Sequence, residues 1–337
     1  MNLLPQASGN RPRVACEITA QGVVAGHSAS AGAPLTDVAR VELAVGAVTP
    51  SLKPGNVVDR VAVVAAISSV LEGVGLRPNS RNNADITLIV PDAAVRVLLL
   101  DFDALANKPA EALPIVRFRL KKLLPFDADD AMVSFQIMSS AKSGVRVLAV
   151  AIPRDVLSEY ESVVREAGFE PGCVLPSTLA ALAGVEDGNA SLLVNANVLG
   201  VTTAIVRNGI LLLHRSVDMH VPPEGIPAEL SPQMIEPSIA EPTPEQQQVP
   251  LSEEIAQAVN VAAAYFEDTL SEPPQQILSA GPLGAEQLSR ILASSGIERE
   301  IGLHVHELVE SKDLLASAVT SSVSRAWLSG VVGALRA

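Results

Sequence analysis

Four cations crowd one short segment of an otherwise acidic chain. Arg117, Arg119, Lys121 and Lys122 all stand in IVRFRLKKLLPF, residues 115–126. The apolar positions Leu113, Val116, Leu120 and Leu123 or Leu124 recur at helical spacing, so a helix over 111–124 buries one stripe. Arg117 and Lys121 fall one turn apart on its flank, and Lys121 and Lys122 also suit a helix C-terminus. Three or four cations are too few for a nucleic-acid footprint, which needs broad clusters of Lys and Arg. A short partner peptide is a better match for so small a patch. Arg117, Phe118, Lys121 and Lys122 are therefore the candidate partner-binding residues.

Other reactive side chains make weaker sets. His304 and His306 alternate on LHVHEL and so face one way, but no third metal ligand is near them in sequence. His214 and His220 have no better case, and no metal is expected. Ser177-Thr178 follows Pro176 at the start of a short helix, which reads as capping. Asp101 and Asp103 in LDFDAL read as a strand end entering a turn. No Ser-His-Asp or Cys-His arrangement stands out.

Two stretches resemble each other within the chain. VACEITAQGVVA and LLVNANVLGVTTA superpose without gaps, placing Glu17 on Asn195, Thr19 on Asn197, Gly22 on Gly200 and Val23 on Val201. Each is a strand, a tight turn and a second strand, and each opens one half of the chain. That placement reads as an internal duplication.

The elements around these residues alternate. Two strands occupy 13–28 and a helix runs near 57–73. Strands DITLIV, VRVLLLD, AMVSFQIM and VRVLAVA enclose the basic helix. A helix over 154–168 ends at Gly168, a left-handed C-cap, and a short helix covers 177–184. Strands follow at 190–196, 200–207 and 210–215. Residues 221–250, rich in Pro, Gln and Glu, read as a mobile loop. A helix over 251–271, with Glu253 and Glu254 in its first turn, then leads to strand QILSAG, helix 284–295, strand IGLHVHEL and a final helix near 318–336. Alternation in two halves predicts an α/β fold with two lobes.

Composition excludes several classes. With 24 Lys and Arg against 37 Asp and Glu, the net charge of −13 argues against general nucleic-acid binding. Hydrophobic residues make up 48% and aromatics 3%, so the cores must be built from Val, Leu, Ile and Ala. No apolar run reaches the roughly 18 residues of a membrane span. No signal pattern opens the chain, and Cys16 and Cys173 lie among apolar neighbours, as expected of buried thiols in a reducing cytoplasm.

The strand-turn-strand repeat, with a helix-containing insert in the first half, resembles the actin-like (ribonuclease H-like) ATPase fold. The order of ADITLIVPDAAVRVLLLDF, IVRFRLKKLLPFDADDAMVSFQI and VRVLAVAIPRDVLSEYESVVREAGFEPGCVLPSTLAAL is similar to the PilM-like proteins of type IV pilus assembly, relatives of FtsA and GspL. QILSAGPLGAEQLSRIL resembles the adenosine-side motif and VSRAWLSGVVGALR the closing helix. The resemblance implies a first lobe from 11–83, 161–189 and 313–337 and an inserted α/β subdomain at 84–160. It implies a second lobe from 190–220 and 276–312, with 251–275 as its helical part, 221–250 as the loop and 1–10 as a flexible leader.

It also implies a nucleotide cleft between the hairpins, where each family hairpin carries Asp-x-Gly. Here the positions hold Glu17, Thr19 and Gly22 in one hairpin and Asn195, Asn197 and Gly200 in the other. A Gly-Gly pair is reduced to Ala280-Gly281, and the expected basic residue is Val24. Lost charge and added bulk predict a pseudo-ATPase with no cofactor, or at most weak binding of ATP and magnesium. The expected function is a cytoplasmic adaptor for the tail of a PilN-like inner-membrane protein. It meets the membrane only through that partner and can self-associate in a ring. The alternatives are a working ATP-binding switch and a sugar-kinase-like enzyme, for which no catalytic Asp motif is found. The opening MNLLP resembles the INLLP of PilN-like tails, so the leader is expected to compete with such a tail.

Overall fold

Each lobe grows outward from its hairpin. In the computed structural model, which describes residues 12–78, 85–141, 144–186, 188, 190–218, 251–272, 274, 276–296, 304–319 and 321–336, β1 (Val14–Thr19) and β2 (Gly22–Ser28) pair antiparallel across a two-residue turn. β9 (Ser191–Asn197) and β10 (Gly200–Arg207) repeat that geometry, with Thr19 opposite Gly22 in one and Asn197 opposite Gly200 in the other.

The repeat extends to whole sheets. The first lobe's sheet runs β3-β2-β1-β4-β8, with β3 at Leu35–Glu42, β4 at Asp85–Val90 and β8 at Glu170–Pro176. The second runs β11-β10-β9-β12-β13, with β11 at Ile210–Asp218, β12 at Gln276–Ala280 and β13 at His304–Glu307. Both are an antiparallel meander continued by two parallel strands, so the two lobes share one topology. Helices fill the same connections: α1 (Arg60–Gly73) and α3 (Arg154–Glu166) in the first lobe, α5 (Leu251–Leu270) and α6 (Ala285–Ser294) in the second. Asp59 accepts from the amide of Ala62 and so sets where α1 begins. Gly168 closes α3 at φ +89°, the expected left-handed cap.

With few rings available, the cores are aliphatic. Ile18, Ile67, Leu71, Ile86 and Leu88 are enclosed with Tyr160 and Phe169 in the first lobe, while Val259 and Ile277 surround Phe266 in the second. Cys16 is enclosed in the first core, whereas Cys173 is only half-buried; neither forms a disulfide. The inserted unit is a separate three-stranded antiparallel sheet, β5-β7-β6, with β5 at Arg96–Phe102, β6 at Ala131–Ala141 and β7 at Gly144–Pro153. α2 (Pro109–Leu120) covers it through Ala112, Val116 and Leu120.

Several boundaries differ from those read in the sequence. β4 belongs to the first lobe's sheet, and α3 packs Val156, Tyr160 and Val163 into that lobe's core, so the insert is narrower than 84–160. β3 went unread because its residues alternate little and several are half-exposed. The final helix is shorter than 318–336: a helical turn at Ala316–Val319 and a 3-10 turn at Arg325–Leu328 precede α7 (Ser329–Arg336). The leader 1–10 and the loop 221–250 lie outside the described residues.

Candidate functional site

The cleft between the two hairpins is bridged by side chains. α4 (Ser177–Leu182) starts at the end of β8 with Pro176 at its N-cap, which offers no side-chain acceptor. The carboxylate of Asp92, in the 3-10 turn Asp92–Ala94 after β4, takes that role instead: its Oδ1 accepts from the Thr178 amide at 3.0 Å, and Oδ2 accepts from the Thr178 hydroxyl. Ser177 is not a cap either. Its hydroxyl donates to Glu17 Oε1 at 2.5 Å. Sequence reasoning missed both roles and Asp92 altogether, because the partners lie 160 and 86 residues apart.

Asn195 crosses from the second lobe into this cluster. Its Nδ2 donates to Ser177 Oγ at 3.1 Å and Thr178 Oγ1 at 3.0 Å, with Asp92 Oδ2 at 3.5 Å. Glu17 and Asn195 are both buried, at 6% and 5% exposure, so these bonds are made out of water. Burial pushes the Glu17 carboxyl up to about 7; the Ser177 hydroxyl opposes that rise and the nearby charge of Asp92 adds to it. Burial lowers the pKa of His214, on β11, against the opposing charge of Asp92, and its Nε2 is enclosed with no hydrogen-bond partner among the described residues.

The remaining site residues shape turns. Thr19 Oγ1 accepts from the amides of Gln21 and Gly22 at 3.2 and 3.1 Å and donates to the Gly22 carbonyl at 2.9 Å. Asn197 Oδ1 accepts from the Leu199 amide at 2.8 Å. These are the ways Ser/Thr and Asx side chains fold a tight turn on themselves. Gly22 and Gly200 leave room for neighbouring strands, since a Cβ would meet the Val41 carbonyl at 2.6 Å and the Val217 carbonyl at 3.0 Å. Gly281 is needed twice over. Its φ is +86°, and a Cβ would lie 2.2 Å from Asn195 Oδ1. Ala280, beside it, is buried and paired with Asn195.

The open space left between the hairpins is about 50 Å³, lined in part by Thr19, Gln21, Asn197 and Thr202. A water needs at least about 10–15 Å³, so the space has room for only a few waters. Among the described residues that line it there is no Lys or Arg, while Glu17, Asp92 and Asp218 are acids.

No family model matches the chain, and no curated protein matches it in sequence. Solved structures do match. A chain of the PilM–PilN type IV pilus biogenesis complex superposes with a TM-score of 0.67 at 13% identity, over 96% of this chain and 98% of that one. The fold is PilM-like. The cytoplasmic domain of EpsL, an inner-membrane component of the type II secretion system of Vibrio cholerae, matches with a TM-score of 0.46 at 11% identity, over 93% and 96% of the two chains. A Bacteroides thetaiotaomicron protein with an actin-like ATPase fold matches with a TM-score of 0.46 at 8% identity, over 89% and 92%. The two-lobed architecture with its inserted unit is thus the PilM-like one.

On the inserted unit, the PilM-like fold divides the four basic residues. The Arg117 guanidinium turns inward, donating to the carbonyls of Ala128 at 2.7 Å and Ala131 at 3.2 Å. It holds the loop before β6. Lys121 pairs with Asp129, which raises its pKa. Phe118, Arg119 and Lys122 remain on the outer face, with the Lys122 ammonium 5.7 Å from the Phe118 ring centre. The rings of His304 and His306 stand 6.3 Å apart, and among the described residues no three side chains cluster to hold a metal. No helix among the described residues is long and apolar enough to cross a membrane.

Proposed function

We propose that this chain is a non-enzymatic adaptor of a type IV pilus or related type II secretion machine. It holds the cytoplasmic tail of a PilN-like inner-membrane protein, and it meets the membrane through that partner alone. The PilM-like fold supports the machine and the partner. The observation that carries the non-enzymatic reading is the bridge from Asn195 to Ser177 and Thr178, which occupies the cleft with the protein's own hydrogen bonds. A triphosphate there would have to break that bridge and face Glu17 and Asp92, with no lysine or arginine among the described residues that line the space. Ordering of the lobes, which a nucleotide could otherwise supply, comes from side chains.

Calorimetric titration with a synthetic PilN-like tail, in the presence and absence of Mg·ATP, tests this. The expected result is binding of equal affinity in both conditions. Binding that requires nucleotide, or no binding at all, would overturn the proposal.

A further inference from the structure

The face of α2 turned away from its sheet is apolar and basic. Ile115 and Phe118 are 42% and 67% exposed, one turn apart, and Leu123 is 49% exposed in the turn that follows the helix. Arg117 and Lys121 are bonded inside the insert, whereas Arg119 and Lys122 flank this strip with no ion pair among the described residues. Exposed apolar groups between unpaired cations suit a ligand that brings carboxylates and apolar side chains together.

The chain carries such a stretch itself. Residues 219–250, between β11 and α5, hold Glu224, Glu229, Glu236, Glu241 and Glu245 and no lysine or arginine. Pro222, Pro227, Pro232, Pro237 and Pro242 recur at every fifth position, with Ile226, Leu230, Met234, Ile235 and Ile239 between them. Four residues between prolines are too few to sustain a helix, so the stretch offers these side chains from extended chain.

The stretch also leaves the fold beside α2. β11 ends at Asp218, whose carboxylate pairs with Arg96 at the start of β5 over 3.5 Å. Arg96 stands opposite Ala151 on β7, and Ala151 stands opposite Val133 on β6. The carbonyl of Ala131, two residues before Val133, accepts from Arg117 on α2. The C-terminal half of α2 therefore lies over the same end of this sheet, two strand spacings, or about 10 Å, from Arg96. Its outer face is about one helix diameter further, roughly another 10 Å. Residues 219–225 span at most about 23–25 Å when extended, which brings Ile226 to the helix.

We propose that residues 226–241 dock on the outer face of α2 in the same molecule. Their apolar side chains cover Ile115, Phe118 and Leu123, and their glutamates stand beside Arg119 and Lys122. Residues 242–250 are left for the return to α5. Tethering holds the stretch near the helix at an effective concentration of roughly millimolar order, so contacts too weak to keep a free peptide suffice. Salt loosens them, because the charges involved are exposed. A partner that takes Phe118 and Lys122 has this stretch to displace. The inference rests on neither the PilN-like tail nor the state of the cleft.

Photo-crosslinking of the full chain, with p-benzoylphenylalanine in place of Phe118, tests it at low salt by peptide mapping of the monomer band. The expected result is cross-links within one molecule from position 118 to residues 226–241. Their yield falls about fivefold or more in R119E/K122E and in E229K/E236K/E241K, and returns when the two sets are combined. Matched thermal melts confirm that each variant folds. Absence of cross-links to 226–241 would overturn the proposal. So would cross-links formed only between molecules, which would give the face to a second copy. Yields that neither reversal lowers, or that the combined variant fails to restore, would overturn it as well.

Discussion

The side-chain amide of Asn195, on the second lobe, donates to the hydroxyl of Ser177, on the first, over 3.1 Å. The position where the first hairpin carries Glu17 thus carries, in the second, a neutral donor that ties the lobes together. A carboxylate at 195 could not do this. Asn195→Asp is expected to destabilise the protein by about 2 kcal/mol or more at neutral pH, because it removes a buried donor and sets two carboxylates together. Urea unfolding at pH 7 and pH 5 measures it, and the cost should shrink at the lower pH as the pair takes up a proton.

Glu17 gives a second pH dependence. Its folded pKa, raised to about 7, exceeds the ordinary carboxylate value, so the folded state holds a proton that the unfolded state has released between about pH 4.5 and 7. Stability contributed by this group is complete below that window and falls as pH rises through it. Glu17→Gln keeps the shape and removes the titration. It should leave stability nearly unchanged at pH 4.5 and raise it at pH 8, by up to about 3 kcal/mol for a shift of this size. Thermal melts at the two pH values decide it, and an equal effect at both would show that Glu17 does not titrate there.

Arg117 and Lys121, a turn apart in sequence, should separate in experiment. Arg117→Glu removes three hydrogen bonds to the Ala128 and Ala131 carbonyls and should cost about 2 kcal/mol or more. Lys121→Glu alters an exposed pair with Asp129 and should cost little, as exposed pairs do. Chemical denaturation of the two variants measures the contrast.

Glu159 on α3 holds the loop before α1. Its carboxylate accepts from the amides of Gly55 and Asn56 at 2.6 and 2.7 Å, while the Tyr160 hydroxyl donates to Asn56 Oδ1 at 3.2 Å. Glu159→Ala should cost about 2 kcal/mol and speed amide exchange at residues 55–57 before global unfolding. Hydrogen exchange read by mass spectrometry or NMR checks both.

The duplicated hairpins were legible because gapless similarity over a dozen residues fixes register, and the structure pairs Thr19 with Gly22 just as it pairs Asn197 with Gly200. The two lobes and α3's glycine stop followed from period and punctuation, and the insert from the resemblance. The bridge across the cleft did not. Ser177 and Thr178 look the same in sequence whether they cap a helix or reach another lobe, and only the fold brings Asp92 and Asn195 beside them. The bonds of Arg117 were not legible for a related reason: helical spacing gives the face a residue lies on, but not whether a long side chain bends back to carbonyls of the next loop. Gly22 and Gly200, kept in both hairpins, answer to neighbouring strands as much as to any ligand.

The bridge between Asn195 and Ser177 as a replacement for nucleotide is tested most directly by a thermal unfolding titration with Mg·ATP. We expect no change in stability up to about 1 mM ligand, as for a dissociation constant well above that concentration. A stabilisation of about 4 kcal/mol, as a dissociation constant near 1 μM would give under the same conditions, would contradict the account.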